Sequence, residues 1–417
     1  MKKQESKNIS AGNFEQCTKC TICTVYCPML EVNPLYPGPK QAGPDGERYR
    51  LKEPKYYDEA LKYCLNCKRC EVSCPSGVRI GDIIAVARAK NSSKLPKLRD
   101  LLLSNTDSVG SVVTKIAPVV NAALEMKGVK RAMDALLAID HRRTMPKYAN
   151  ETFTSWFRKN ALAEQAQYER SVAYFHGCYA NYNDPQLGKD LVRVLNAVGF
   201  GVKLMEDERC CGVVKMTSGL VSRAMNDAKR NLAEIRREVG EGRRVIATSS
   251  SCTFALRDEY EHILGLDNHD VRSSITLATR FIYRQVERGN IKLAFRKDFK
   301  MRVAYHYACH IEKLGWGIYS TSLLKLIDGV ELVSLPSQCC GMAGIYGFKK
   351  ENYDYSQAIG KSLFDHIDSL GLEYVATDCE TCKWQIEMST SAKVLHPITI
   401  LAEALDVEAT RKLNNLK

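Results

Sequence analysis

Apolar and polar positions change their period along this chain, and the changes divide it. From residue 171 onward, short unbroken apolar runs such as Val172-Ala-Tyr-Phe175 alternate with longer stretches such as PQLGKDLVRVLNAVG, where apolar residues recur every three to four positions. The first pattern is that of a strand buried on both faces, the second that of a helix laid against it. Their alternation predicts α/β units with a mainly parallel sheet. Upstream, residues 97–168 keep a helical spacing punctuated by Pro118, Gly128 and Pro146. Residues 57–70 and 80–90 also read as helical. Residues 34–54, dense in proline, glycine and charge, read as an irregular loop.

The α/β half repeats itself. SVAYFHGC, ending at Cys178, corresponds to RVAYHYAC, ending at Cys309, at an offset of 131 residues. Cys210-Cys211-Gly212 corresponds to Cys339-Cys340-Gly341 at 129, and Cys252 to Cys382 at 130. Three landmarks on nearly one period mark a duplicated domain. Strand ends would gather these cysteines at one edge of each sheet, where ligand sites form in such folds. The chain therefore divides into residues 10–92, a helical linker at 93–170, and two α/β domains at 171–300 and 301–417.

Cysteine spacing supplies the chemistry. Cys17-x-x-Cys20-x-x-Cys23-x-x-x-Cys27-Pro28 and Cys64-x-x-Cys67-x-x-Cys70-x-x-x-Cys74-Pro75 both carry the spacing of two-cluster ferredoxins. Three cysteines of each run wrap one 4Fe-4S cube, and the longer gap plus proline sends the fourth to the other cluster. The expected ligand sets cross: Cys17, Cys20, Cys23 and Cys74 for one cluster, Cys64, Cys67, Cys70 and Cys27 for the other. Two zinc ribbons could also use eight thiols. Zinc needs neither the third cysteine of each run nor the following proline, so iron-sulfur chemistry is the better reading.

In the second repeat, Cys309, Cys339-Cys340 and Cys379-x-x-Cys382 make five thiols, whereas the first has Cys178, Cys210-Cys211 and Ser249-x-x-Cys252. A lone Cys-Cys-Gly can be a buried apolar pair or a redox pair. Four thiols can also hold a structural zinc. The two repeats resemble the CCG-domain family, known from heterodisulfide reductases and related oxidoreductases, where five such cysteines can bind a noncubane iron-sulfur cluster. The resemblance implies a third cluster on Cys309, Cys339, Cys340, Cys379 and Cys382. It leaves the first repeat, with Cys178, Cys210, Cys211 and Cys252, one ligand short. His176 and His310 adjoin these cysteines but read as packed side chains, and Asp378, Glu380 and Glu312 as groups that could tune potential or handle protons. The expected fold class is an α-helical ferredoxin module, a helical linker and two duplicated α/β CCG domains.

Stretches such as DEALKYCLNCKRCEVSCPS, IDHRRTMPKY, CCGMAGIYGFKKENY and DCETCKWQIEMST resemble the C-subunit family of anaerobic glycerol-3-phosphate dehydrogenases. The resemblance implies a complex in which a flavin-containing A-type partner oxidises glycerol 3-phosphate, a B-type partner takes part, and this chain relays electrons toward menaquinone without catalysing the oxidation. It also implies a place on the cytoplasmic face of the inner membrane. No G-x-G-x-x-G follows a predicted strand, so neither flavin nor NAD is expected on this chain. A second reading makes the complete CCG site itself catalytic, reducing a disulfide or a quinone.

Composition refines this. Seventeen cysteines in a chain with no apolar leader after its first ten residues read as metal ligands, not disulfides. The net charge of +12 falls to about +8 if two clusters each bring roughly two negative charges. No nucleic-acid motif accompanies the excess, so an acidic partner, anionic lipid or plain solvation remain for it. No run of about 20 apolar residues spans a bilayer, but residues 111–140, with His141-Arg142-Arg143 behind them, mix apolar faces with cations as surface-bound helices do.

Overall fold

The computed structural model describes residues 13–91 and 97–416, so the expected module limits at 10, 92 and 417 lie outside the described residues. Two four-stranded, wholly parallel sheets dominate it. The first comprises β1 (Arg170–Phe175), β2 (Phe200–Leu204), β3 (Arg244–Ala247) and β4 (Ile275–Leu277) in the order β2-β1-β3-β4. The second comprises β5 (Met301–Tyr305), β6 (Val330–Ser334), β7 (Tyr374–Ala376) and β8 (Lys393–Leu395) in the order β6-β5-β7-β8. Val172 to Phe175 and Val245 to Ala247 are almost wholly buried, as expected of strands covered by helices on both sides.

Strand order reverses between β1 and β3, and again between β5 and β7, because consecutive strands lie on opposite sides of the first. Crevices open at such switch points beyond the strand carboxyl ends. Cys178 follows β1 and Cys252 follows β3. Cys309 follows β5, and Cys379 and Cys382 follow β7. The double cysteines follow β2 and β6.

The two repeats are fused, not strung. One continuous core takes Val172, Tyr174 and Ile246 from the first sheet, Val303, Tyr305 and Ala376 from the second, and Leu191 and Leu401 from helices Pro185–Ala197 and Pro397–Ala404 between them. This arrangement turns the cysteine-bearing ends of both sheets toward each other.

The N-terminal module is helical, with its longest helix at Ile80–Lys90. The helical spacing of residues 57–70 becomes only the turns Glu59–Tyr63 and Arg69–Val72. Asn66 and Lys68 adopt left-handed backbone there (φ 56° and 63°), which ends any helix. Conversely, the expected loop at 34–54 contains a helix, Gly46–Lys52, held by an Arg50–Glu47 ion pair.

The linker runs through helices Leu98–Ser104, Thr106–Val113, Ala117–Glu125 and Lys127–Leu137. Among the described residues no single helix is long and apolar enough to cross a membrane, and the chain bends by 89° between the helical stretches 106–125 and 127–137. Its inner face is docked. Arg99 pairs with Glu351 at 2.7 Å and Ile139 bridges Lys349, both in the second repeat, while Asn121 exchanges two hydrogen bonds with the Tyr148 backbone inside the linker. Its outer face leaves Val112, Ile116, Val119, Met126 and Leu136 exposed, the last at 83%.

Candidate metal centres

Both N-terminal cysteine runs have the same backbone. Lys19 and Thr21 flank Cys20 in left-handed conformation (φ 60° and 64°), as Asn66 and Lys68 flank Cys67. Four non-glycine residues in this region store roughly 1 kcal/mol or more each, which persists only where the surroundings demand it. The kinks turn three thiols of each run about one centre. At the kink, Asn66 N–H points at Cys64 Sγ (3.5 Å), and after the second run Val78 N–H points at Cys74 Sγ (3.4 Å).

The runs exchange their fourth cysteine. The Cys23 thiol is pushed up by burial and further by Cys17, Cys74 and Cys20 around it. Cys27 is pushed up to about 12 by burial, with Cys67 and Cys64 adding to it, and Cys70 feels Cys67, Cys64 and Cys27. Mutual repulsion among buried thiols is what a cation or a cationic cluster core relieves. Two groups of four thiols, shaped by strained backbone, therefore suit cluster ligation. Cys20 is exposed and the second group lies inside.

The nine cysteines of the two repeats, with Cys67, line a single cavity between the domains. In the second repeat Cys340 Sγ is 3.3 Å from Cys382 Sγ, Cys309 contacts Cys339, and Cys379 is drawn down to about 7 by the Cys382 thiol. In the first, Cys178 contacts Cys210 and Cys211 contacts Cys252. Cys67 makes side-chain contact with Cys309 and Cys339, so the second N-terminal group abuts the second repeat directly.

Ser249 and Cys379 hold equivalent places before a helix. Ser249 Oγ accepts from Cys252 N–H (3.2 Å) as the N-cap of helix Ser250–Phe254 and reaches Glu380 Oε1 at 3.2 Å. Cys379, at the N-cap of helix Glu380–Ser389, makes no such cap and keeps its sulfur toward the cavity. The fifth thiol of one repeat is thus a helix cap in the other.

The remaining expected residues sort by surroundings. His310 stacks on Phe254 (4.8 Å) and His176 gives its Nδ1–H to Gly177 O, with burial pulling His176 down to about 4. Glu380 lines the cavity, and burial raises it. Asp378 faces the core, accepting from Tyr305 (2.6 Å) and Ser320, while Glu312 accepts from Ser337 and pairs with Arg69.

Several site residues gave no signal in the sequence. Asp107, from the linker, accepts from Cys210 N–H at 2.7 Å, and burial raises it to about 6. Arg143, grouped with basic surface residues by its neighbours, is buried at 1% exposure, donates to Ser356 and Gln385, and feels Cys340. Lys68 is wholly buried between Asp82 (2.5 Å) and Glu71 (3.6 Å). Glu71 pairs with Lys313 of the second repeat, and Asn66 donates to Glu259 of the first. Nothing in spacing marks them: Asp107, Arg143, Glu71 and Asn66 take partners more than 100 residues away, and Lys68 is defined by burial that spacing does not show.

Comparison with known proteins agrees with this architecture. The family described as "4Fe-4S dicluster domain" matches residues 13–78, and "Cysteine-rich domain" (CCG) matches 172–257 and 303–387. These matches indicate iron-sulfur clusters over zinc. The C subunit of anaerobic glycerol-3-phosphate dehydrogenase from Escherichia coli (strain K12) is 58% identical over 94% of this chain and 99% of its own length. The glycolate oxidase iron-sulfur subunit of the same strain is 25% identical over 97% of this chain and 98% of its own. The B subunit of fumarate reductase (CoM/CoB) from Methanothermobacter marburgensis is 25% identical over 94% of this chain and 71% of its own. With fold, duplicated cysteine motifs and near full-length identity in agreement, the chain belongs to the family of anaerobic glycerol-3-phosphate dehydrogenase C subunits, iron-sulfur proteins that join a dicluster domain to two CCG domains.

Proposed function

We propose that this chain is the noncatalytic electron-transfer subunit of an anaerobic glycerol-3-phosphate dehydrogenase, passing electrons from a flavin-bearing A-type partner, with a B-type partner, toward menaquinone. Cys17, Cys20, Cys23 and Cys74 would hold one 4Fe-4S cluster and Cys64, Cys67, Cys70 and Cys27 another. Cys309, Cys339, Cys340, Cys379 and Cys382 would hold a third, noncubane one. Such clusters, when bound, take up and release single electrons. The observation that carries the reading is the contact of Cys67 with Cys309 and Cys339, which sets an N-terminal thiol group against the complete CCG set with no intervening layer of protein. Cys20, with exposed Ile22, Val25 and Tyr26 on the same run, is the natural side for a partner to deliver electrons.

The place of action is the cytoplasmic face of the inner membrane, held peripherally. Support comes from exposed Val112, Ile116, Val119, Met126 and Leu136, interspersed with exposed Lys115, Lys127 and Arg131, on helices whose other face is docked. The test is electron paramagnetic resonance of the assembled complex under anaerobic conditions. Glycerol 3-phosphate is expected to reduce the clusters of this chain. Clusters that stay oxidised while the flavin is reduced would contradict the relay. A chain that reduces a disulfide by itself with an artificial donor would favour a catalytic CCG site.

A further inference from the structure

The cysteine cavity has a neighbour on its far side. Helix Glu380–Ser389 starts at the cavity with Cys379 and Cys382 and continues outward with Lys383, Trp384 and Met388, which form one wall of an open groove of about 310 Å³. Tyr179, the residue after Cys178, and Met145 and Pro146 from the end of the linker also line the groove. Tyr179 and Lys383 also line a narrow cleft whose other lining residues include Cys252 and Cys379, so this cleft lies between the groove and the cysteine cavity and shares residues with both. At 1.5 Å per residue, Cys382 and Met388 are only about 9 Å apart along the helix axis.

The groove's chemistry is selective. Tyr179 and Trp384 meet edge to face at 5.7 Å, and two methionines flank them, giving a polarisable surface on which a ring can lie. Lys383 reaches its rim with an ammonium that donates to Glu387 Oε1 at 3.0 Å. Lys147, Asn183, Asp184 and Glu387 join the lining, so the groove sets an aromatic and thioether surface among polar groups, with Lys383 and Lys147 as its cationic donors, and its volume is within the size range of ligand pockets. It fits a planar, uncharged ring system carrying carbonyl acceptors.

Its mouth lies beside the exposed apolar helices. Asn121, on helix Ala117–Glu125, is bonded both ways to the Tyr148 backbone, and Lys147, which lines the groove, pairs with Glu125 at 2.7 Å. A ligand dissolved in lipid would meet the groove where the chain meets the membrane.

We propose that this groove binds the ring of a membrane quinone, with Lys383 donating to one carbonyl and Trp384 and Tyr179 packing on the ring. The proposal rests on the electron-relay reading above. Reduction adds two electrons, drawn from glycerol 3-phosphate through the relay, and two protons from water in the open groove, turning both carbonyl oxygens into hydroxyls.

The test is photolabelling of the anaerobically purified full chain in phospholipid vesicles with an azido-naphthoquinone, competed by menadione and mapped by mass spectrometry. Label is expected within residues 144–147, 179–184 or 383–388. Thr144→Trp, which fills the rim, and Lys383→Met are each expected to weaken menadione competition about tenfold. Iron content and resonance spectra show whether each variant keeps its clusters, and the wild-type map stands without them. Label confined elsewhere, or competition unchanged in both variants, overturns the site. If clusters are reduced by glycerol 3-phosphate but quinone is reduced with unaltered KM in both variants, this site fails and the relay stands. If the clusters are never reduced, the relay itself fails.

Discussion

Single residues in this protein do work that spacing alone does not reveal. Lys68 sits inside an N-terminal cysteine run, yet its ammonium is the buried counter-charge for Asp82 and Glu71. Lys68→Met would remove the buried partner that Asp82 and Glu71 share, leaving Glu71 to Lys313 and Asp82 to the longer Arg79 contact, at a cost of up to about 3–5 kcal/mol. Chemical denaturation of the holoprotein is expected to show that loss, and a change under about 1 kcal/mol would mean the carboxylates are otherwise satisfied. Ser249 makes the opposite point. As a helix cap its removal in Ser249→Ala should cost about 1 kcal/mol with iron content unchanged, whereas loss of iron would mark it as a ligand. The cysteines themselves were legible because thiol spacing is dictated by the group they hold. Asp107 and Arg143 were not, since their roles arise from contacts with Cys210 N–H and Ser356 across more than 100 residues of chain.

Among elements, the glycine after each double cysteine carries the geometry. Gly212 and Gly341 both have positive φ, 86° and 83°, so any side chain there is strained. A methyl on Gly341 would also lie 2.1 Å from Ser356 O, whereas on Gly212 its nearest neighbour is Ala224 Cβ at 3.5 Å. Gly341→Ala should therefore destabilise the second repeat by several kcal/mol and Gly212→Ala by only about 1, a ranking that paired thermal melts would check. The strands and long helices of the repeats were legible from apolar periodicity, because burial on both faces leaves continuous runs. Residues 57–70 were not, because the left-handed backbone around Cys67 overrides helical spacing. Residues 34–54 failed the other way, their Pro and Gly masking a helix fixed by Arg50 and Glu47. On the linker, the bend at Met126 presents two apolar helix faces outward. If these faces make the proposed membrane contact, Leu136→Asp, at a position 83% exposed, should remove about 2 kcal/mol of it and cut vesicle binding at least about tenfold in flotation, with the fold unchanged. Binding that survives would move the membrane contact elsewhere.

At the scale of the whole molecule, duplication and fusion decide the outcome. Parallel sheets with their switch points face to face put every CCG cysteine on one cavity, and the ferredoxin-type module closes it with Cys67. The period of about 130 residues announced two domains, but not that they share a core through Leu191 and Leu401 or pool their thiols. The direct measurement of the central claim is iron and acid-labile sulfide content, with electron paramagnetic resonance, on anaerobically purified wild type and Cys340→Ser. The account predicts more than the about eight irons of two cubane clusters, and a distinct signal that disappears on substitution. About eight irons, with spectra identical in the two proteins, would contradict it and reduce the CCG repeats to a scaffold for the ferredoxin-type pair.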